Sequence, residues 1–256
     1  MEGSAVQYKL VIKNFVRNTA RRAGFSVMKY PVSPFHVMSV FDLSVQYLMA
    51  VKGKALQFVQ IGANDGIFGD PLRKYVVKFP WRGILVEPQP EVFARLRTNY
   101  DAEKERLIFE NLAISDHAGV ITMYGPRRNG TRPTEYETSV SSADRRIARL
   151  QLGTAGLEAF TVPCLTLSDL LEKHRMNSID ILQIDAEGHE FKIISGLDLS
   201  RFSPLIIQFE SGHMSPNDID RTVQCLTRSN YRVLYGGIQI DTLAFSERFP
   251  LGESTL

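Results

Sequence analysis

Apolar residues fall along this chain in two rhythms. Residues 58–61, 84–86, 179–184 and 205–209 form short, nearly unbroken apolar runs. Strands covered on both faces read this way, because neither face needs polar positions. Between the runs, apolar positions return every three or four residues, as on a helix. Val92, Phe93, Leu96 and Tyr100 share one side of such a segment, and Arg95, Arg97 and Asp101 the other. Ile219, Val223 and Leu226 mark another, between 216 and 229. Further strands are expected at 107–114, 120–124, 162–165, 231–235 and 239–245, with a short helix from Ser168 to His174. Strands alternating with helices predict an α/β fold on a doubly wound, mostly parallel sheet.

Two stretches stand outside this alternation. In residues 5–23, Val6, Leu10, Val11, Phe15 and Val16 fall at helical spacing, interleaved with Lys9, Lys13, Arg17, Arg21 and Arg22. Such a helix can pack on its own domain, on a second subunit of a homodimer, or on an anionic membrane surface. Pro31 and Pro34 mark a linker, and residues 35–51 read as a buried helix leading into the first strand. His36 and Asp42 interrupt it as surface or capping groups, or as groups at a substrate mouth. The expected division is an N-terminal helical extension over 1–54 and a main domain over 55–256. Within the latter, regularity fails between about 125 and 160. A segment that long reads as a partly helical insertion, a candidate lid.

The strand ends carry the polar chemistry. The first run breaks at Gly62, Ala63, Asn64, Asp65 and Gly66, a turn where a ligand can approach bare backbone. Asp70-Pro71 then reads as a helix start. The second run ends in Glu87, spaced as expected for a carboxylate that accepts both hydroxyls of a ribose. A middle glycine, as in dinucleotide-binding turns, is missing, which suits a nucleoside ligand without pyrophosphate, such as S-adenosylmethionine. The later runs end in Asp185 and Glu210. In an open parallel sheet, all these groups meet at one edge.

Charge and cysteines narrow the classes. The formal net charge is +2, which makes no case for nucleic acid as a partner. Cys164 and Cys225 match no metal or redox spacing and read as reduced, fitting a cytoplasmic setting. No run is long enough to be a transmembrane segment, and no apolar signal core opens the chain.

Four ordered motifs resemble the FkbM family of S-adenosylmethionine-dependent methyltransferases. They are Ile61-Gly62-Ala63-Asn64-Asp65-Gly66, Glu87-Pro88-Gln89-Pro90, Asn111-Leu112-Ala113-Ile114-Ser115, and the block from Ile179 through Asp185, Glu187 and Gly188 to Glu190. Gln183 stands where that block usually has lysine. The resemblance implies a Rossmann-like domain with S-adenosylmethionine as cofactor. Gly62, Ala63, Asn64, Asp65 and Gly66 would shape the methionine side, and Glu87 with Pro88 the ribose. Asn111, Leu112 and Ala113 would border the adenine. Asp185 and Glu187 would stand near the sulfonium and the acceptor. The implied reaction is O-methylation of a sugar, glycan precursor or secondary metabolite.

Such a hydroxyl is a weak acid, so the site needs a base or a metal. Asp185, Glu187, His189 and His213 are the catalytic candidates, with Glu190 beside them. Asp185 and Glu210, on adjacent strands, are candidate ligands for Mg²⁺. Six arginines against four acids in the 125–160 insertion point to an anionic acceptor, such as a phosphorylated sugar. Tyr136, Thr138, Ser139 and Ser142 are candidate acceptor contacts there. Competing readings are a methyltransferase for a phosphate- or nitrogen-containing acceptor, a nicotinamide-dependent oxidoreductase of similar fold, and a non-catalytic scaffold.

Overall fold

Seven strands form the main sheet of the computed structural model, in the order β3-β2-β1-β7-β8-β10-β9. Residues 39–127, 141–152, 156–236 and 241–250 are described. The chain divides into Met1–Ser39 and Val40–Leu256. The basic segment 5–23, Pro31, Pro34 and His36 lie outside the described residues, as do Tyr136, Thr138 and Ser139.

The strands are β1 (Gln57–Ile61), β2 (Arg82–Val86), β3 (Leu107–Glu110), β7 (Ile181–Ile184), β8 (Ile206–Phe209), β9 (Tyr231–Leu234) and β10 (Thr242–Ser246). The contiguous strands from β3 to β8 pair in parallel, and β10 runs antiparallel to both β8 and β9. This is the expected doubly wound, mostly parallel sheet. Its two faces feed separate cores, because alternate side chains point to opposite sides. Val59, Ile84, Leu182 and Ile207 pack on one side with Leu170, Ile193 and Leu226. Phe58, Leu85, Ile181 and Ile206 pack on the other with Val45, Leu48 and Val76. The second core also holds Trp81, fully buried and stacked on Tyr75 at 5.2 Å between ring centroids.

Helix α1 (Val40–Lys52) buries Phe41, Val45 and Leu48 and leaves Val40, Leu43, Tyr47 and Val51 exposed. It is thus half-buried and amphipathic, where the sequence reading expected a buried helix. Asp42 accepts a hydrogen bond from Tyr75 Oη at 2.7 Å and pairs with Lys74, so it ties α1 to the next layer and does not line the cleft described below.

The single strand expected at 107–114 is two. After β3 the chain leaves the main sheet at Asn111, and β4 (Ala113–Ser115) joins a second sheet of order β4-β6-β5. There β5 (Gly119–Pro126) and β6 (Leu157–Thr166) form a long antiparallel pair. The expected insertion therefore begins and ends as hairpin. Within it, α2 (Arg145–Leu152) buries Ile147, Ala148 and Leu152. Thr166 and Asp169 form a reciprocal capping box that starts the helix Leu167–Lys173.

Candidate active site

The carboxyl ends of β1, β2 and β7 and one wall of the second sheet enclose a cleft with an open mouth. Gly62, Ala63, Asn64, Glu87, Pro88, Leu112, Ala113, Asp185, Glu187 and His189 all line it.

The first turn is shaped by contact. Gly62 has φ +74°, and a Cβ there would lie 1.8 Å from the Asp185 carbonyl oxygen. Gly66 is needed for packing behind the turn, since a Cβ would strike the Tyr100 ring at 2.5 Å. Asp65 caps the turn by accepting the backbone N–H groups of Ile67 and Phe68, each at 2.9 Å. Gly66 and Asp65 thus support the turn from outside the cleft lining.

Glu87 is 4 % exposed. Its Oε2 accepts the Asn64 backbone N–H at 3.1 Å and its Oε1 the Gln89 backbone N–H at 2.8 Å. Each oxygen keeps lone-pair capacity for a ligand hydroxyl. Burial raises the carboxyl to about 7 against the pull of those two donors. Asn111 lies behind this strand end: its Nδ2 donates to the carbonyls of Glu87 and Pro88 at 2.8 and 3.1 Å. It positions Glu87, while Leu112 and Ala113 face the cleft.

Asp185 closes β7, its N–H held by the Ile61 carbonyl at 2.9 Å. Its carboxyl opens onto the cleft but is otherwise surrounded by protein. Burial and then the nearby Glu187 charge raise it. Glu210 is raised too, by burial and by Asp185, Glu187 and further acids. Glu190, fully buried, holds the intervening loop by accepting the N–H groups of Ala186 at 2.8 Å and Gly188 at 3.3 Å. Burial lifts it to about 8.

Glu187 has φ +52°, an uncommon conformation for a residue with a Cβ. Two groups of the insertion grip it: Ser142 Oγ donates to its carbonyl at 2.8 Å and Gln151 Nε2 to its carboxylate. His213 Nε2 lies 3.5 Å from both Glu187 and Glu210, at the exposed rim. The Glu187, Glu210 and His213 ligand atoms are close enough to share a cation. Asp185 is not in that trio, and Gln151 Nε2 already approaches both Glu187 and, at 3.1 Å, His213. His189 is apart from these acids. Its Nε2 meets Ser115 Oγ at 2.8 Å, and burial lowers it to about 4, so the ring is neutral.

Sequence reasoning marked Gln183 but passed over its partners in the floor of the cleft. Gln60, Gln183 and Gln208 stand in register across β1, β7 and β8. Period-two alternation within each run could have marked them. Gln60 and Gln183 line the cleft.

A family model described as the methyltransferase FkbM domain matches residues 60–233. No curated protein matches the chain. Solved structures resemble it at low identity. A methyltransferase FkbM from Methylobacillus flagellatus KT is 14 % identical, with a TM-score of 0.47 over 75 % of this chain and 44 % of its own. The N-terminal domain of human METTL16 is 11 % identical, TM-score 0.45, over 89 % and 77 %. Precorrin-6y C5,15-methyltransferase from Geobacter metallireducens GS-15 is 12 % identical, TM-score 0.40, over 85 % and 100 %. The chain spans less than half the length of the Methylobacillus protein. By the match over most of its length, the chain belongs to the FkbM methyltransferase family.

Proposed function

We propose that this chain transfers the methyl group of S-adenosylmethionine to a hydroxyl of a sugar, glycan precursor or secondary metabolite. The observation that carries the cofactor half is Glu87: buried, clamped by two backbone N–H groups, and still able to accept two hydroxyls. The charge of the cleft agrees. Asp70, Glu87, Asp185 and Glu187 line it, and no Lys or Arg does among the described residues. An acidic cleft favours a ligand with a net positive charge.

When bound, S-adenosylmethionine supplies an electrophilic methyl on a sulfonium. The chain's residues do the rest. The Gly62 turn and Glu87 fix the nucleoside, so that an acceptor beside Asp185 needs little reorientation. Asp185, raised from its ordinary range, is placed to take the hydroxyl proton. Glu210 shares that proton load. His189 is tied to Ser115, which leaves Asp185 as the base.

Calorimetry with S-adenosylmethionine, its demethylated product and NADH tests the cofactor half. Binding of the first two without NADH is expected. Binding of NADH alone would favour an oxidoreductase. Mass spectrometry of hydroxyl acceptors incubated with methyl-labelled cofactor tests the acceptor half, and label on nitrogen or phosphate instead would replace it.

A further inference from the structure

Of the three glutamines of the floor, the outer two are each oriented by an acid. Gln60 Nε2 donates to Asp70 Oδ1 at 3.1 Å, and Gln208 Nε2 to Asp241 Oδ2 at 2.6 Å. Flipping either amide would set its oxygen against a carboxylate, so the network fixes both. Among the described residues, no hydrogen-bond partner reaches the buried oxygens Gln60 Oε1, Gln183 Oε1 and Gln208 Oε1. Gln60 is 1 % exposed and Gln183 4 %. A buried acceptor without a donor is costly, and native sites rarely leave one unexplained.

Asp185 lines the cleft beside this floor, and Glu210 follows the neighbouring strand. The local inventory is therefore rich in acceptors. Asp70 adds no open acceptor to it, because it already accepts Gln60, Tyr100 Oη at 2.7 Å and the N–H groups of Leu72 and Arg73. S-adenosylmethionine carries one net positive charge, against four lining carboxyl groups. A neutral hydroxyl acceptor satisfies oxygens and leaves the charge. An anionic one adds to it. The described arginines of the insertion do not help, since Arg127, Arg145, Arg146 and Arg149 are exposed and outside the lining.

We propose that the hydroxyl acceptor also carries a protonated amine, seated over Gln60 and Gln183 beside Asp185, as in an amino sugar or aminocyclitol. This rests on the methyltransferase reading above. An ammonium has three N–H donors, which match two amide oxygens and one carboxylate. The segment 125–160 alone would favour an anionic acceptor; the floor favours a cation.

The test uses full-length protein saturated with the demethylated cofactor product, because the cofactor brings an ammonium of its own. Glucosamine, glucose and glucose 6-phosphate are titrated in turn at a pH where the amine is protonated. Glucosamine should bind about ten-fold or more tighter than glucose, with the phosphate weakest. Gln183→Lys, which places a cation in the floor, should reduce the glucosamine preference to about two-fold or less in protein that still melts cooperatively. Equal binding, no binding, or preference for glucose or its phosphate in the wild type would overturn the amine. So would binding of glucosamine that a chelator abolishes, which would assign the charge to a metal. Failure to bind the cofactor product at all would instead sink the methyltransferase reading beneath it.

Discussion

Gly62 and Asp185 meet backbone to backbone where β1 and β7 end, so closely that a Cβ on Gly62 would overlap the Asp185 carbonyl oxygen at 1.8 Å. The positive φ adds a second demand for glycine. Gly62→Ala should therefore push the two strand ends apart. Denaturant unfolding should show a loss of more than about 2 kcal/mol. Near-normal stability would mean that the turn relaxes freely and is not held against β7.

Glu87 gives a test of binding with little change in fold. Glu87→Ala should weaken S-adenosylmethionine binding by roughly 1–3 kcal/mol, since ribose hydroxyls lose a charged acceptor. The backbone donors of Asn64 and Gln89 lose theirs too. Calorimetry reads this directly, and unchanged affinity would take Glu87 out of the site.

Asp185 separates turnover from binding. Asp185→Asn keeps shape and removes the proton acceptor, so kcat should fall by about a hundred-fold or more, with cofactor affinity within a few-fold. Were Asp185 only a cap for the following helix, asparagine would serve as well and turnover would stay near normal. The same assay in chelator tests the Mg²⁺ role proposed from the Asp185–Glu210 pairing. Activity lost to chelator and restored by Mg²⁺ would support it. Full activity is expected, because Gln151 occupies the Glu187 carboxylate and approaches His213.

Stability should fall as pH rises from about 5 to about 8. Glu87 and Glu190 hold their protons to about 7 and about 8 in the folded chain, from an ordinary value of 4.5. Between those limits the unfolded chain has lost protons that the folded chain keeps, so folding is progressively disfavoured; below 4.5 both states are protonated and the effect is absent. Each unit of displacement is worth about 1.4 kcal/mol at most. Glu190→Gln imitates the protonated acid and should flatten the profile. Thermal melts across this range decide it, and a profile as steep in the variant would assign the slope elsewhere.

Much of this was legible in the sequence. The apolar runs at 58, 84, 179 and 205 give the parallel core of the sheet, because strands buried on both sides leave no room for ambiguity. Asp70 accepts from Leu72 and Arg73, but the helix starts at Arg73 with Leu72 at its N-cap, two residues later than Asp70-Pro71 suggested. The break at Asn111 was underread: Glu110 and Asn111 interrupt the apolar residues between 107 and 114, but nothing local says that the chain changes sheet there. Helix α1 was overread for a related reason. Its exposed Leu43 and Tyr47 look like core until the packing is known. The glutamine floor was masked by its neighbours. A polar residue inside an apolar strand signals a ligand only when its in-register partners are known, and those come from distant parts of the chain.

The lone tryptophan of the chain turns the molecule into its own optical probe of folding. Trp81 sits just before β2, in the core that Phe58 and Leu85 enter, while Glu87 follows that strand about 20 Å away at an extended rise per residue. Its indole is dry and stacked on Tyr75. Emission should therefore be blue-shifted in the native chain and move red only when the sheet itself opens. Ligands filling the cleft should leave the spectrum nearly unchanged, so fluorescence can follow unfolding at any cofactor concentration without the signal of occupancy mixed in.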